Sequence, residues 1–308
     1  MLESIEKAYE ERDLEKLLTF ATPIKRELNK KQNYKSVLML SCNNIKHLKK
    51  LKDLKADAII LNLEDGVSKE EKPFALVLCA IFLSLNTHIN KKLIVRVNSI
   101  EDGAYKEIEF LNAFSPDAIR IPKIKDSKEV ESILKILNEN VELHLSIETK
   151  ESWTNLSSLN VNYRVKAFYL GVLDLFADMG LSQNLINLYN PIMNYILTHF
   201  LVSSKAIGVK PISFVYQDYK NLTEFSKWIE LEKSMGYDSK GCISPKQVEY
   251  VNEMFDSDSL EIQKAKRIIE LFEKNRENGI TGFTDDEFGF VDEPIYKGAL
   301  VVLNKALQ

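Results

Sequence analysis

VELHLSIETK (Val141–Lys150) and, after one helix-length segment, VKAFYLGVLDLFADMGL (Val165–Leu181) decide how this chain is read. Each holds a short apolar run, Leu143–Ile147 and Ala167–Leu170, followed within a few residues by a carboxylate, Glu148 and Asp174. Apolar runs of this length, bounded by polar residues and separated by a helix-length segment, predict parallel strands joined by a crossover helix. In such a sheet both acids leave at the same, C-terminal edge. Two carboxylates there make a hard-oxygen site suited to Mg²⁺, which often takes one or two protein acids plus water and substrate oxygens. The plainer alternative is a pair of solvated loop acids, since acids at strand ends are common.

Outward from this stretch the same pattern repeats. Further strands are expected at Ser36–Leu40, Ala58–Leu63, Leu93–Val97, Ala118–Ile121, Ile212–Tyr216 and Gly241–Ile243. Helical stretches are expected at Asn44–Leu54, Ser127–Leu137, Asn184–Ser203 and Leu222–Met235. Eight strand–helix alternations predict an α/β fold of the (β/α)₈ TIM-barrel type. A doubly wound open sheet is the competitor, but no glycine-rich nucleotide motif follows the first strand. Residues 2–31 form a charged, helix-prone prefix whose partial apolar stripe is Leu2, Ile5, Tyr9, Leu14, Leu17 and Leu18. The domain reading is a helical N-terminal extension (1–33), a barrel (34–275), and a C-terminal lid segment with a helix (276–308).

Barrel active sites lie at the C-terminal ends of the strands. The residues there are Glu64, Asp65 and Gly66 after the second strand, and Arg96 and Asn98 at the end of the third. Pro122 and Lys123 follow the fourth, Glu148 the fifth and Asp174 the sixth. Gln217 and Asp218 follow the seventh, and Ser244 the eighth. Acids, one arginine and one lysine on one rim point to a divalent metal and an anionic substrate.

Composition narrows the partners. With 45% hydrophobic residues in 308, the chain can bury a sizeable core. A net charge of −4 and a pI near 5.8 leave no basic footprint for nucleic acid. Cys42, Cys79 and Cys242 are odd in number and widely spaced, which fits buried thiols in a reducing cytoplasm. The N-terminus is too charged for a signal peptide, and no apolar run approaches the ~20 residues of a membrane span. Neither nucleic acid nor a membrane is an expected partner.

The ordered series KSVLML, AIILNLEDGVSKEEKPFA, IVRVN, DAIRIPKI, LSIETKESW, FYLGVLDLFADMGL and GYDSKGCISPKQVEYVNEMF resembles the citrate lyase β-subunit family. That family belongs to the HpcH/HpaI aldolase group and includes malyl-CoA and citramalyl-CoA lyases. The resemblance runs from about Ser36 to Leu303. It implies a TIM-barrel, Mg²⁺-dependent carbon–carbon lyase acting on an acyl-CoA or acyl-carrier-protein thioester, assembled as a homotrimer or hexamer. By this resemblance Glu148 and Asp174 match the metal ligands, and Arg96 the arginine at the thioester carbonyl. Glu64 and Asp65 match acids that hold metal waters and neighbouring groups, and Lys123 matches a rim lysine. Asp292, in FVDEPI, matches an acid on a C-terminal segment that reaches the site of an adjacent subunit.

Several positions depart from the family pattern. Asn62 stands where the family has aspartate, Leu173 where it has glutamate, and Ser244 where it has histidine; the first loop, Leu40–Asn43, lacks the usual proline. The alternative reading is therefore a weakened or non-catalytic accessory barrel. His47, His88, His144 and His199 have no metal-ligand spacing, and His144 is expected to line the barrel. Cys242, Trp153 and Trp228 read as packing residues, and Ser244 has no nearby histidine to activate it. The acidic, glycine-punctuated segment after Asn275 reads as a mobile loop, and from Pro294 a helix with Ile295, Ala299, Leu300, Leu303 and Leu307 on its apolar face.

Overall fold

The computed structural model describes residues 1–256 and 259–307. The chain divides into two compact units, Met1–Met254 and Phe255–Gln308. The strands of the first unit are β1 (Ser36–Ser41), β2 (Ala58–Asn62), β3 (Lys92–Arg96), β4 (Ala118–Ile121), β5 (Glu142–Ile147), β6 (Val165–Leu170), β7 (Lys210–Ile212) and β8 (Lys240–Cys242). Its helices are α1 (Leu2–Glu10), α2 (Leu14–Phe20), α3 (Ile45–Leu48), α4 (Lys72–Leu85), α5 (Ala104–Leu111), α6 (Ser127–Ile136), α7 (Lys150–Thr154), α8 (Val172–Asp178), α9 (Pro191–Ala206), α10 (Leu222–Met235) and α11 (Pro245–Met254).

All eight strands are parallel and lie in chain order from β1 to β7, with β8 returning beside β1. β7 meets β8 at a single Ser213–Lys240 bridge, where the Ser213 N–H donates to Ser239 O and the Gly241 N–H to Ser213 O, both at 3.1 Å. The barrel is thus nearly closed. Gly241 makes this approach possible, because a Cβ there would lie 2.7 Å from Val215 Cγ2. Side chains alternate along each strand. One set, including Val37, Ile60, Ile94, Ala118, Ala167 and Tyr169, forms the interior cluster, and the other packs under the helices. Burial on both faces explains why β2 to β5 are buried at every position.

Several boundaries differ from the sequence expectation. The prefix is helical only over α1 and α2. Arg12, at φ +58°, breaks the chain between them, and the Asp13 carboxylate accepts the Lys16 N–H to start α2. The expected Asn44–Leu54 helix is four residues long, and like-charge neighbours such as Lys46 and Lys50, four apart, oppose its extension. α9 begins at Pro191, not Asn184, because proline fits only the first turn and Asn190 caps it. The seventh strand is three residues rather than five. His144, Trp228 and Cys242 are buried, and Trp153 is 9% exposed, as packing residues should be.

The second unit holds α12 (Ser259–Glu277), β9 (Gly282–Asp285), β10 (Gly289–Asp292) and α13 (Glu293–Leu307). Ala265 and Ile269 of α12 pack with Ala299 of α13, and Phe272 stacks on Tyr296 with ring centroids 4.6 Å apart. The segment expected as a mobile loop is instead an antiparallel hairpin. Its turn is held by the Asp285 carboxylate, which accepts the N–H groups of Glu287 and Phe288, and by Gly289 at φ +70°. Of the predicted apolar face, Ala299 is buried, Leu300 and Leu303 pack beside it, and Ile295 is 44% exposed. The Leu307 side chain lies outside the described residues. Among the described residues no helix is long and apolar enough to cross a membrane.

Candidate active site

The site is assembled at the C-terminal ends of β2 to β6. After β2, the Asn62 amide donates to the Asp65 carbonyl and the Asp65 N–H donates to Glu64 Oε2 at 2.9 Å, and Gly66 turns the chain at φ +84°. Arg96 is the last residue of β3 and is 5% exposed. After β4, Lys123 adopts φ +56°, a left-handed conformation that costs a non-glycine residue of order 1 kcal/mol. That conformation aims its N–H at Glu148 Oε1, 2.9 Å away. Glu148 follows β5 and is 2% exposed, whereas Asp174 lies in the first turn of α8 and is exposed.

Arg96 is the hub. Its Nη2 lies 2.6 Å from Glu64 Oε2, 3.3 Å from Asp65 Oδ2 and 3.7 Å from Glu148 Oε1. Glu64 Oε1 is 3.1 Å from the Lys123 ammonium, an ion pair short of hydrogen-bond alignment. Breaking a buried pair by removing one partner costs about 3–5 kcal/mol, because it strands a charge. Burial pushes the Glu148 carboxyl above its ordinary value against the pull of Arg96 and Arg120, and Asp174 and Glu64 push the same way. Partial burial opposes charge on Lys123, but Glu64 and the neighbouring acids outweigh it and raise the ammonium.

These groups fit a hard divalent cation. Glu148 Oε2 accepts no hydrogen bond from a described residue, and it faces Gly171, where a Cβ would lie 2.5 Å away. Asp174, close enough to act electrostatically on Glu148, offers a second carboxylate at this rim. Among the described residues no cluster of three or more His, Cys, Asp or Glu side chains is arranged around a metal. Two carboxylates completed by water and substrate oxygens is the coordination Mg²⁺ accepts and a closed structural zinc site does not.

Glu64, Asp65, Arg96, Lys123, Glu148 and Asp174 therefore gather at one rim. Asp174 does so from a helix rather than a strand end. Asp292 belongs to the second unit, where its carboxylate accepts the Ile295 N–H at 3.2 Å and caps α13. Of the departures, Asn62 is buried and braces the Glu64–Asp65 turn, Leu173 is half-buried, and Ser244 Oγ caps α11 by accepting the Gln247 N–H at 3.2 Å. Sequence reasoning missed Gly171 and Arg120. Arg120 alternates with the inward Ala118 on β4, and that period-two spacing was the available signal.

An eight-stranded parallel barrel with ionised groups concentrated at its C-terminal mouth has the plan of a barrel enzyme. The family model described as HpcH/HpaI aldolase/citrate lyase matches residues 35–245, and the chain belongs to that family. Among relatives, a (3S)-malyl-CoA thioesterase of Cereibacter sphaeroides is 28% identical over 250 residues, covering 80% of this chain and 85% of that protein. The citrate lyase subunit beta of Leuconostoc mesenteroides subsp. cremoris is 24% identical over 91% of this chain and 95% of that protein. The mitochondrial citramalyl-CoA lyase of Mus musculus is 26% identical over 88% of this chain and 86% of that protein. The structure of CitE from Mycobacterium tuberculosis with magnesium, acetoacetate and coenzyme A superposes with a TM-score of 0.71 at 19% identity, covering 90% of this chain and all of that one. That likeness is one of fold.

Proposed function

We propose that this protein is a Mg²⁺-dependent carbon–carbon lyase that cleaves, or in reverse forms, a 3-hydroxyacyl thioester of the citryl, malyl or citramalyl type. The observation that carries the reading is the Arg96 hub beside a buried Glu148 whose Oε2 accepts no hydrogen bond among the described residues. Glu148 and Asp174 would hold the metal, which supplies Lewis acidity toward the substrate's hydroxyl and carboxylate oxygens. The 3-hydroxyl gives up its proton to solvent water, and cleavage of the C2–C3 bond turns it into the carbonyl of an α-keto acid and leaves a thioester enolate. Arg96, fixed by Glu64 and Asp65, offers its guanidinium to the enolate oxygen as charge develops. Lys123 lies on the same rim and binds anionic parts of the substrate. Asp292 delivers the proton to C2, or removes it in the condensation direction, from the second unit of an adjacent subunit in a trimer or hexamer. The carrier is CoA or an acyl carrier protein, and three unpaired buried thiols support a cytoplasmic setting.

The resemblance to a malyl-CoA thioesterase makes hydrolysis of the thioester the competing reaction. The protein should be incubated with malyl-, citramalyl- and citryl-CoA and Mg²⁺, and the products separated. An α-keto acid with a shortened acyl-CoA supports the lyase. Free thiol with the intact hydroxy acid moves the assignment to a thioesterase, and no turnover of any thioester leaves the accessory barrel. The shared site is tested by mixing Asp292→Asn subunits with Glu148→Gln subunits. Verified mixed oligomers that regain activity support it, and a strictly monomeric protein ends it.

A further inference from the structure

Arg96 and Arg120 are register partners on the adjacent strands β3 and β4, so two guanidinium side chains start from neighbouring positions in the barrel interior. Like charges placed opposite each other across strands are destabilising unless something between them is negative. Arg96 has its carboxylates. Arg120 is only 7% exposed, yet among the described residues its one hydrogen bond runs from Nε to the Ser146 hydroxyl at 2.9 Å, and no carboxylate oxygen lies within 4.0 Å. Its guanidinium carbon lies 4.2 Å from the centre of the Tyr169 ring, which holds the group flat without neutralising it. Burial and Arg96 lower its pKa to about 10, which still leaves it charged at neutral pH.

Its terminal nitrogens make no hydrogen bond among the described residues, yet they are not sealed from open space, so an anion that reaches them completes a largely desolvated cation. The space beside it, about 20 Å³ bordered by Met39, Ile60, Tyr169 and Val215, has room for about one water and is too small for a carboxylate. An anion must therefore reach Arg120 from the barrel mouth, on the side of Glu148, whose charge Arg120 already feels. Resting on the lyase reading above, we infer that Arg120 is a second substrate-binding guanidinium, which receives the carboxylate of the α-keto acid half of the substrate at the floor of the site. Arg96, whose Nη2 is held by the acids, then keeps its other N–H groups for the thioester oxygen. The two arginines divide one dianionic reacting species between them, and preference for a charged keto acid resides in Arg120.

Calorimetric titration with pyruvate and with its uncharged amide, both in the presence of Mg²⁺, tests this on the whole protein. Arg120→Met is the direct variant. Arg120→Met/Ser146→Leu is the repacked one, since replacing both hydrogen-bonding partners by apolar groups avoids a stranded hydroxyl. Pyruvate affinity should fall ~10- to 100-fold in either variant, the loss of one charge-assisted pair, while affinity for the amide stays level. Equal weakening of both ligands, unchanged pyruvate affinity, no pyruvate binding by the wild type, or failure of both variants to fold would overturn the assignment. Arg120-dependent pyruvate binding by a protein that cleaves no thioester would sustain it and end the lyase reading. Cleavage with pyruvate binding indifferent to Arg120 would do the reverse.

Discussion

Gly171 is the wall against which Glu148 rests. A Cβ on residue 171 would lie 2.5 Å from Glu148 Oε2 and 2.6 Å from its Cβ, closer than any unstrained contact. Because Gly171 has φ −91°, which any residue can adopt, the conflict comes from the side chain alone. Gly171→Ala should therefore cost about 1–3 kcal/mol by overpacking and, by displacing Glu148, weaken divalent-ion binding. Urea melts with a parallel Mn²⁺ titration check both. Unchanged Mn²⁺ affinity in a stable variant would show that Glu148 does not need this position.

Glu148→Gln and Asp174→Asn should each reduce Mn²⁺ affinity by roughly tenfold or more, the equivalent of 1.4 kcal/mol, with little change in fold. Glutamine can still accept the Lys123 N–H that now reaches Glu148 Oε1. The paramagnetic effect of Mn²⁺ on water relaxation is the readout, and full affinity in both variants would sink the metal assignment.

Arg96→Lys should lower turnover far more than stability. One ammonium cannot both meet Glu64, Asp65 and Glu148, as Nη2 does, and offer the further N–H groups of a planar guanidinium. Loss of an oriented donor to a developing oxyanion typically costs about 10²–10³ in rate. If the melting temperature collapses while activity per folded molecule is kept, Arg96 is part of the scaffold instead.

His144 gives the fold a defined response to acid. It is fully buried between Glu142 and Tyr169, with ring nitrogens 3.2 Å from Glu142 Oε2 and Tyr169 Oη. Burial outweighs the pull of Glu142 and lowers its pKa from the ordinary 6.5. Above 6.5 the imidazole is neutral in both states and contributes nothing to the pH dependence. Below 6.5 the unfolded chain takes up a proton that the folded chain resists, so stability falls until the depressed folded pKa is reached. The slope from this one group is at most about 1.4 kcal/mol per pH unit. Denaturation followed below pH 6.5 should show a shallower loss in His144→Gln than in wild type.

The Lys240–Glu232 pair is fully buried at 2.6 Å, with Ser213 Oγ also donating to Glu232 Oε1 at 2.6 Å. Lys240→Met alone should destabilise by about 3–5 kcal/mol, because it strands a carboxylate whose pKa burial already raises. Lys240→Met/Glu232→Leu should recover most of that loss. If the double variant is no better than the single, the pair contributes more than mutual neutralisation.

The strands were legible wherever a run of β-branched and leucine residues had polar borders, as Leu93–Val95 has in Lys92 and Arg96, because burial on both faces leaves little room for anything else. Local chemistry spoiled the prediction elsewhere. Pro191 moved a helix start, lysine crowding shortened α3, and Asp285 with Gly289 closed a hairpin where acidity and glycines suggested a loop. The rim acids and Arg96 were legible because barrel topology assigns strand ends to one face. Gly171 and Arg120 were not, since their importance lies in a clearance and a missing partner, and both are properties of three-dimensional neighbours.

The single bridge between Ser213 and Lys240 gives the barrel a seam. Elsewhere neighbouring strands share three or more paired positions, but here one bridge closes the cylinder. Stability is distributed unevenly through a structure, and the cheapest opening occurs where the fewest bonds break. Breathing of this barrel should therefore begin at the β7–β8 joint, with the amide protons of Ser213 and Gly241 exchanging with solvent before those of β2 to β5. Lys240 lies on that joint and is riveted to α10 through Glu232, so the buried pair acts as the clasp that sets how often the cylinder unzips along its side.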